Sequence, residues 1–213
     1  MIADYFEKPQ NSPRPRLVPV IAIEEAAEAI PLGRTLLENG LPIAEITFRT
    51  KAAAAAIRQL AKLTDLMLGA GTVLSTDQVQ EAFDAGAQFM VTPGFNPKVV
   101  KYCVKNSIPI VPGVCTPTEI EAALEYGLDA LKFFPAESMG GIKSLKAFDG
   151  PYSRVKFIPT GGINTANVCD YLNLPNVLAC GGSWMVNKKL IASSNYTDIA
   201  RLTREAVLLC QQA

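Results

Sequence analysis

A lysine inside an apolar run is the residue of this sequence best suited to covalent chemistry. Lys132 lies in the run Ala130–Pro135, between a leucine and two phenylalanines. Burial in apolar surroundings disfavours the charged ammonium form of a lysine. A neutral amine is a nucleophile whose natural partner is a carbonyl carbon, so this run predicts Schiff-base chemistry. The alternative is a lysine on an edge strand that buries its stem and keeps its charged end in water.

A second apolar segment, Ile43–Phe48, carries polar residues at alternate positions. Glu45, Thr47 and Arg49 share one face of this segment if it is a strand, because successive side chains of a strand point to opposite faces. If that face meets Lys132, Glu45 supplies the acid and base for the reaction. The alternative is an ion pair between Glu45 and Arg49 that only satisfies its own two charges.

The absence of histidine narrows the possible chemistry. Its count is zero, which excludes Ser-His-Asp and Cys-His systems and any zinc site built on imidazole. A proton shuttle must therefore use Glu, Asp, Lys, Tyr or water. The cysteines are odd in number and have no CxxC spacing, so we expect reduced thiols that mostly fill the core: Cys103, Cys115, Cys169, Cys180 and Cys210.

Two glycine pairs follow apolar segments and are candidates for an anion site. They lie in Thr160–Asn164 and in Gly181–Ser183. Glycines let backbone N–H groups approach phosphate oxygens, and Ser183 adds a hydroxyl, although a single Gly-Gly also occurs as a plain turn. Small residues in Gly69–Thr72 and Val91–Gly94 leave room for a ligand or form tight turns. No Walker or dinucleotide pattern occurs, so no nucleotide cofactor is expected.

The elements that must position these residues alternate along the chain. Eight apolar segments, typical of parallel strands covered on both faces, are predicted as strands: Leu17–Ile23, Ile43–Phe48, Leu66–Thr72, Phe89–Pro93, Pro109–Val114, Ala130–Pro135, Lys156–Thr160 and Val177–Cys180.

Helices are predicted between these strands. A short one is expected between the sixth and seventh strands, and the others are Glu24–Asn39, Thr50–Leu63, Ser75–Ala85, a helix opened by Asn96 and Pro97, Thr118–Tyr126 after Thr116 and Pro117, Asn164 to about Leu172, and a last helix ending near Gln211. Eightfold alternation predicts one (β/α)8 TIM barrel over residues 1–213. A short N-terminal helix, Ala3–Lys8, is expected to close its floor.

This architecture brings the candidate residues together. The active site of such a barrel forms at the carboxyl ends of the strands, and its common phosphate site uses the loops after strands seven and eight. Those two loops hold the two glycine pairs. The sequence therefore predicts a lysine, a carboxylate and a phosphate site at one end of the barrel.

The composition limits the binding partners and the cellular location that we expect. Hydrophobic residues make up 49% and charged residues 19% of 213 residues, which is typical of a globular protein. Twenty basic and twenty acidic residues cancel, so neither nucleic acid nor a membrane surface is an expected partner. Leu17–Ile23 is too short to span a bilayer and Met1–Gln10 carries no signal-peptide pattern, so we expect a soluble, cytoplasmic protein.

Six stretches together resemble the family of 2-keto-3-deoxy-6-phosphogluconate (KDPG) and 4-hydroxy-2-oxoglutarate (KHG) aldolases. They occur in order over nearly the whole chain, and the lysine stretch is specific: Glu45–Thr50, Gly69–Val73, Val91–Gly94, Leu131–Ala136, Pro159–Ile163 and Gly181–Trp184.

The resemblance implies roles for individual residues. Lys132 forms the Schiff base, Glu45 moves protons, and the keto acid and the distal phosphate are held by separate groups. Arg49 and Thr72 hold the keto-acid end, Pro93 and Phe134 shape its pocket, and the phosphate group is Gly161, Gly162, Gly182 and Ser183. The family also implies a homotrimer, a small-molecule keto-acid or sugar-acid phosphate substrate, and neither metal nor cofactor.

The implied reaction is reversible aldol cleavage. KDPG gives pyruvate and glyceraldehyde 3-phosphate, and 4-hydroxy-2-oxoglutarate gives pyruvate and glyoxylate. Two alternatives keep the fold. One is cleavage of the C4 epimer, 2-dehydro-3-deoxy-6-phosphogalactonate, and the other is a sugar-phosphate-binding barrel without catalysis, because a shared fold alone proves no function.

Overall fold

Short parallel strands alternate with helices along the chain. The computed structural model describes residues 5–6 and 15–212. Within them the strands are β1 Leu17–Ile21, β2 Ile43–Thr47, β3 Met67–Gly71, β4 Phe89–Val91, β5 Ile110–Val111, β6 Gly113–Val114, β7 Ala130–Phe133, β8 Lys156–Pro159 and β9 Cys180–Gly182.

Helices follow nearly every strand. The α-helices of the described residues are α1 Ala29–Glu38, α2 Ala53–Leu60, α3 Thr76–Asp84, α4 Pro97–Lys105, α5 Pro117–Glu125, α6 Gly141–Asp149, α7 Val168–Leu172, α8 Lys188–Ala192 and α9 Tyr196–Gln211, with 3₁₀ turns at Ala26–Glu28, Glu137–Met139 and Trp184–Val186.

The strands form a curled parallel sheet flanked by helices. One part has the order β5-β4-β3-β2-β1-β9 and the other the order β6-β7-β8. Isolated parallel bridges join Phe157 to Val177 and Thr160 to Gly181, and so connect β8 with the chain around β9. The predicted α/β class is therefore confirmed, with apolar strand residues forming a continuous buried core.

The strand predicted over Pro109–Val114 is divided at Pro112. Ile110 and Val111 pair with β4, whereas Gly113 and Val114 pair with β7. Proline has no N–H to donate to a neighbouring strand, but its carbonyl still accepts the Lys132 N–H at 2.9 Å. Pro112 therefore lies where the strand is interrupted, between the part that pairs with β4 and the part that pairs with β7.

The last strand begins three residues later and ends two residues later than predicted. Val177–Cys180 was the expected strand, but β9 is Cys180–Gly182. Gly181 and Gly182 pair with Val18 and Pro19 of β1. The space is too small for any side chain, since an ideal Cβ on Gly181 would lie 2.2 Å from the Thr160 hydroxyl and one on Gly182 would lie 1.9 Å from the Trp184 ring. The interpretation of this glycine pair as a loop was wrong.

Three predicted helix starts are confirmed by side-chain caps. The side-chain oxygens of Ser75, Asn96 and Thr116 accept backbone N–H groups in the first turns of α3, α4 and α5. Pro97 and Pro117 occupy the first positions of α4 and α5, where no N–H is needed.

Other helix boundaries differ from the prediction. The helix expected from Asn164 begins only at Val168, because Asn164 and Asn167 close a turn before it. The short helix expected between the sixth and seventh strands is the nine-residue α6. Helix α8 was not predicted.

The N-terminal helix expected over Ala3–Lys8 lies largely outside the described residues. Tyr5 and Phe6 are helical, and the Tyr5 hydroxyl donates to the Pro42 carbonyl at 3.0 Å. Within the described residues, no helix combines the length and apolar character needed to cross a membrane.

Candidate active site

Lys132 and Glu45 meet in the interior of the curled sheet. Lys132 lies on β7 and Glu45 on β2, which are not neighbouring strands, and Lys132 Nζ donates to Glu45 Oε1 at 3.3 Å. Their exposed fractions are 5% and 3%. The alternative of a wet lysine on an edge strand is excluded, because β7 is paired on both sides and the amine is buried.

A glycine makes room for this ion pair. Gly71 lies opposite Thr47 in the β2–β3 register. An ideal Cβ on Gly71 would lie 2.1 Å from Glu45 Oε1, so a larger residue there would displace the carboxylate. Close packing of this kind holds Glu45 in one position.

The walls around the pair are mostly apolar. The two side chains line a small cavity of about 10 Å³ whose other residues, all apolar except one threonine, are Val18, Phe89, Val91, Val111, Ile158 and Thr160. Lys132 Nζ lies 5.3 Å from the centroid of the Phe134 ring. Because the surrounding walls are mostly apolar, water screens the electrostatic interaction between Lys132 and Glu45 only weakly.

Arg49 lies outside the buried pair. It is exposed in the turn after β2, and its Nε donates to Thr47 Oγ1 at 3.0 Å. The Thr47 hydroxyl in turn donates to the Ile21 carbonyl at 2.8 Å. Among the described residues the ion-pair partner of Glu45 is Lys132, so the alternative of an ion pair between Glu45 and Arg49 is excluded.

Thr72 and Pro93 lie at the carboxyl ends of β3 and β4. Thr72 is half-buried and has a φ of 55°, in the left-handed region that side-chain-bearing residues rarely adopt. Pro93 follows the buried Thr92, whose hydroxyl donates to the Gly94 carbonyl at 2.7 Å and accepts the Gly113 N–H at 3.2 Å. Both residues thus lie at the edge of the sheet at which Arg49 follows β2.

The loop after β8 contains two peptides whose carbonyls are hydrogen-bonded and whose N–H groups face away from those bonds. Gly161 and Gly162 have φ values of 99° and 84°. The Gly161 carbonyl accepts the Glu137 N–H at 3.1 Å, and the Gly162 carbonyl accepts the amides of Asn164 and Asn167, each at 3.1 Å. In a trans peptide the N–H points opposite to the C=O. The N–H groups of residues 162 and 163 consequently point away from these anchors and suit an anion.

Gly182 and Ser183 differ in their surroundings. Gly182 is buried within β9, so its role is to pack against Trp184 rather than to lie in a loop. Ser183 is exposed directly after the strand. The bridge from Thr160 to Gly181 brings the chain before Ser183 beside the chain before Gly161. Of the three residues in the second predicted loop, Ser183 is exposed, whereas Gly181 and Gly182 are buried.

Two features of this region were missed from the sequence. Thr160 lines the same cavity as Lys132, which its position two residues after Ile158 on β8 could have indicated. Glu137 accepts a hydrogen bond from the hydroxyl of the buried Tyr171, across 34 residues of sequence. Nothing in the sequence around Glu137 or around Tyr171 signals the contact between these two side chains.

The surroundings of three thiols in the described residues raise their pKa values, which makes the reactive thiolate form less available. Burial raises the pKa of the Cys103 thiol to about 11 and that of Cys210 to about 11. Burial and then the neighbouring Glu119 raise the pKa of Cys115. Among the described residues, no group of three or more Cys, Asp or Glu side chains is arranged to hold a metal ion.

A family model described as "Aldolase: KDPG and KHG aldolase" matches residues 11–202. The chain belongs to this family. The match includes every candidate site residue from Glu45 to Ser183.

Curated relatives and a solved structure agree with this assignment. The chain is 54% identical to the 2-dehydro-3-deoxy-phosphogluconate aldolase of Haemophilus influenzae, over 90% of this chain and 91% of that protein. It is 44% identical to the KHG/KDPG aldolase of Escherichia coli K12, over 90% of each. The KDPG aldolase of Legionella pneumophila, solved with pyruvate captured at low pH as a covalent carbinolamine intermediate, matches with a TM-score of 0.86 and 40% identity, over 89% of this chain and 92% of that chain.

Proposed function

We propose that this chain is a class I aldolase that forms a Schiff base on Lys132. It cleaves 2-dehydro-3-deoxy-6-phosphogluconate to pyruvate and glyceraldehyde 3-phosphate, and 4-hydroxy-2-oxoglutarate to pyruvate and glyoxylate. The observation that carries the proposal is the buried contact of Lys132 Nζ with Glu45 Oε1 at 3.3 Å in an apolar cavity. The names of the family relatives support the choice of substrates.

The ion pair is the resting form of the nucleophile. Transfer of one proton from Lys132 to Glu45 gives the neutral amine that attacks the substrate. The amine attacks the C2 ketone of the substrate to give a carbinolamine, which loses water to form an iminium. Glu45 gives the proton that it took from Lys132 to the departing hydroxyl of the carbinolamine, which leaves as water, and Glu45 becomes a carboxylate again.

The iminium then draws electrons from the C3–C4 bond. Glu45, as a carboxylate and through a water, removes the proton of the C4 hydroxyl, and the aldehyde product leaves. The electron pair of the broken bond becomes the enamine of bound pyruvate. Glu45 returns the proton to C3, and hydrolysis of the new iminium releases pyruvate and restores the Lys132 amine.

The remaining residues bind the two ends of the substrate. Arg49 and Thr72 hold the keto-acid end at the carboxyl edge of the sheet, and Pro93 and Phe134 shape its pocket. The backbone N–H groups of the loop containing Gly161 and Gly162, together with Ser183, bind the distal phosphate. Gly182 serves this site by leaving space for the Trp184 ring that follows.

The proposal extends to the whole molecule. We infer one domain over residues 1–213, with the curled sheet closed into an eight-stranded (β/α)8 barrel in which β5 and β6 form one strand broken at Pro112. The parallel bridges Phe157–Val177 and Thr160–Gly181 support closure between β8 and β9. The family resemblance implies a homotrimer without metal or cofactor, and the sequence pattern at the N-terminus suggests a cytoplasmic location. Light scattering that gives the mass of three chains would support the oligomer.

The test of the function is to trap pyruvate on the enzyme. Incubation with pyruvate and borohydride should add one three-carbon adduct to Lys132, located by peptide mapping, because reduction fixes the iminium. Lys132→Arg should reduce turnover to background while the protein stays folded, since an arginine has no neutral amine at working pH. Lys143→Arg, an exposed lysine on α6, is the matched control and should keep both activities.

The outcomes separate the proposal from its rivals. An adduct on Lys143, Lys146 or Lys156 would contradict the assignment of Lys132. Binding of the sugar-acid phosphate with no adduct on any lysine would indicate a binding protein without catalysis.

A further inference from the structure

Glu137 and Tyr171 form a contact beside the proposed phosphate loop, and neither residue has a role in the mechanism above. Glu137 lies in the 3₁₀ turn after β7, and its carboxylate is on the surface. Tyr171, on α7, is fully buried and donates its hydroxyl hydrogen bond to Glu137 Oε1. A buried phenol is thus anchored in the core and holds an otherwise exposed carboxylate.

Glu137 contacts both glycines of the loop. Its backbone N–H donates to the Gly161 carbonyl at 3.1 Å, just after the Ala136 N–H donates to the Thr160 carbonyl at 2.8 Å. Its side chain lies over Gly162, where an ideal Cβ would come within 2.4 Å of Glu137 Cγ and 2.7 Å of Glu137 Cβ. The position of Glu137 therefore limits where the loop backbone can lie.

This position also decides where the loop N–H groups point. The Gly161 carbonyl and the Gly162 N–H belong to one peptide, so the bond from Glu137 turns that N–H to the opposite side. Asn164 and Asn167 orient the next peptide in the same way, through the Gly162 carbonyl. Asn167 immediately precedes α7, the helix that carries Tyr171, so helix and loop are fixed together.

We propose that Tyr171 and Glu137 are positioning residues that hold the Gly161–Ile163 backbone in the orientation needed to bind the substrate's distal phosphate. The inference rests on the proposed function. Neither side chain contacts the substrate. The phenol fixes the carboxylate, the carboxylate's aliphatic part covers Gly162, and the loop N–H groups are preorganised before phosphate arrives.

The chemistry of the pair suits this role. Burial, and then the adjacent Glu137 carboxylate, raise the pKa of the Tyr171 hydroxyl. The hydroxyl therefore stays protonated and remains the donor across the working pH range. A hydrogen bond to a charged acceptor is among the stronger ones in proteins, so its loss should be measurable.

The experiment compares two substrates of one active centre on Tyr171→Phe. The variant keeps the buried ring and removes only the hydrogen bond. We expect KM for the phosphorylated substrate to rise about tenfold with little change in kcat, and the inhibition constant of inorganic phosphate to rise by a similar factor. The kcat/KM for 4-hydroxy-2-oxoglutarate, which has no phosphate, should stay within about twofold.

A second pair of variants covers the case in which Tyr171→Phe folds poorly. Glu137→Ala removes the cover over Gly162 and should raise the same KM, whereas Glu137→Gln keeps an oxygen that accepts the Tyr171 hydroxyl and should lose much less. The matched control is Tyr152→Phe, which removes a tyrosine–glutamate hydrogen bond of 2.9 Å to Glu121 and lies before β8, whereas the loop follows that strand. This control should change neither substrate's kinetics.

Each outcome has one meaning. Equal losses on both substrates with a lower Tm, or no loss in any variant, would overturn the positioning role. Failure of the proposed function is a separate result, because it would appear in the wild type as the absence of a pyruvate adduct on Lys132.

Discussion

The chemistry depends on two buried side chains of opposite charge. Neither Lys132 nor Glu45 would be stable alone in a cavity whose other walls are almost all apolar, because an unpaired buried charge costs several kcal/mol. Together they neutralise each other by salt bridge or by proton transfer. The same contact that makes the pair tolerable in the core also places a base within reach of the nucleophile.

Glu45→Gln tests this base at the scale of one residue. The variant keeps the shape of the side chain but cannot accept a proton, so exchange of the pyruvate methyl protons with deuterated water should slow by about 10²–10⁴-fold. NMR follows this exchange without C–C cleavage. The matched control is Glu81→Gln, which changes an exposed glutamate on α3.

Exchange near the wild-type rate in folded Glu45→Gln would mean that Glu45 only pairs with Lys132. Circular dichroism must show that Glu45→Gln is folded, because the substitution leaves the buried lysine without its charged partner.

At the scale of elements, the loop after β8 and the strand β9 use glycine for different reasons. Gly161 and Gly162 adopt positive φ values, whereas Gly181 and Gly182 leave space for Thr160 and Trp184. A substitution at Gly162 would strain the backbone and collide with Glu137, so it would not separate phosphate binding from stability. A clean test must change a residue with an ordinary backbone.

Ser183→Asp meets this condition. Ser183 is exposed with a φ of −124°, and a carboxylate there should repel the phosphate of the six-carbon substrate. We expect kcat/KM for that substrate to fall at least about 10-fold, since a like charge close to a dianion costs on the order of 1 kcal/mol or more. The activity on 4-hydroxy-2-oxoglutarate should change about twofold or less.

The control for charge alone is Ser153→Asp, an exposed serine just before β8, at the other end of that strand. It should leave both activities unchanged. Equal losses on both substrates in Ser183→Asp would mean that the phosphate does not bind at this loop.

At the scale of the whole molecule, buried thiols make stability depend on pH. Burial raises the pKa of Cys103, which is fully buried, from 9.0 to about 11. Between these values the unfolded chain has lost this proton and the folded chain has kept it. The contribution is therefore complete below pH 9 and is lost towards pH 11, with the free energy of unfolding falling by about 1.4 kcal/mol per pH unit for one such thiol.

Cys103→Ala should flatten this fall. Urea unfolding between pH 9 and 11 measures the slope, and the difference between variant and wild type isolates Cys103 from other groups that titrate in the window. Val100→Ala is the matched control, because it truncates a buried neighbour on the same helix without removing a titrating group. It should lower stability at every pH and leave the slope unchanged. An unchanged slope in Cys103→Ala, or a flattened slope in Val100→Ala, would contradict the assignment of this pH dependence to Cys103.

Local sequence determined the features that depend on neighbouring residues. Proline after a capping residue is enough to start a helix, so Asn96-Pro97 and Thr116-Pro117 were predicted correctly. Apolar runs were sufficient to locate β2 and β7 and to mark Lys132 and Glu45 as out of place in them. Such signals act within a few residues and need no partner from elsewhere in the chain.

Only the tertiary structure decided the features that depend on contacts between distant segments. Lys132 and Glu45 are 87 residues apart, and their distance follows from the curvature of the sheet. By strand alternation Arg49 should lie on the same face as Glu45. However, β2 ends at Thr47, so this alternation does not extend to Arg49. Gly181 and Gly182 form a strand because β1 pairs with them, and Tyr171 reaches Glu137 because α7 packs beside the loop. Pairing and packing energies of this kind arise between segments, and no local pattern records them.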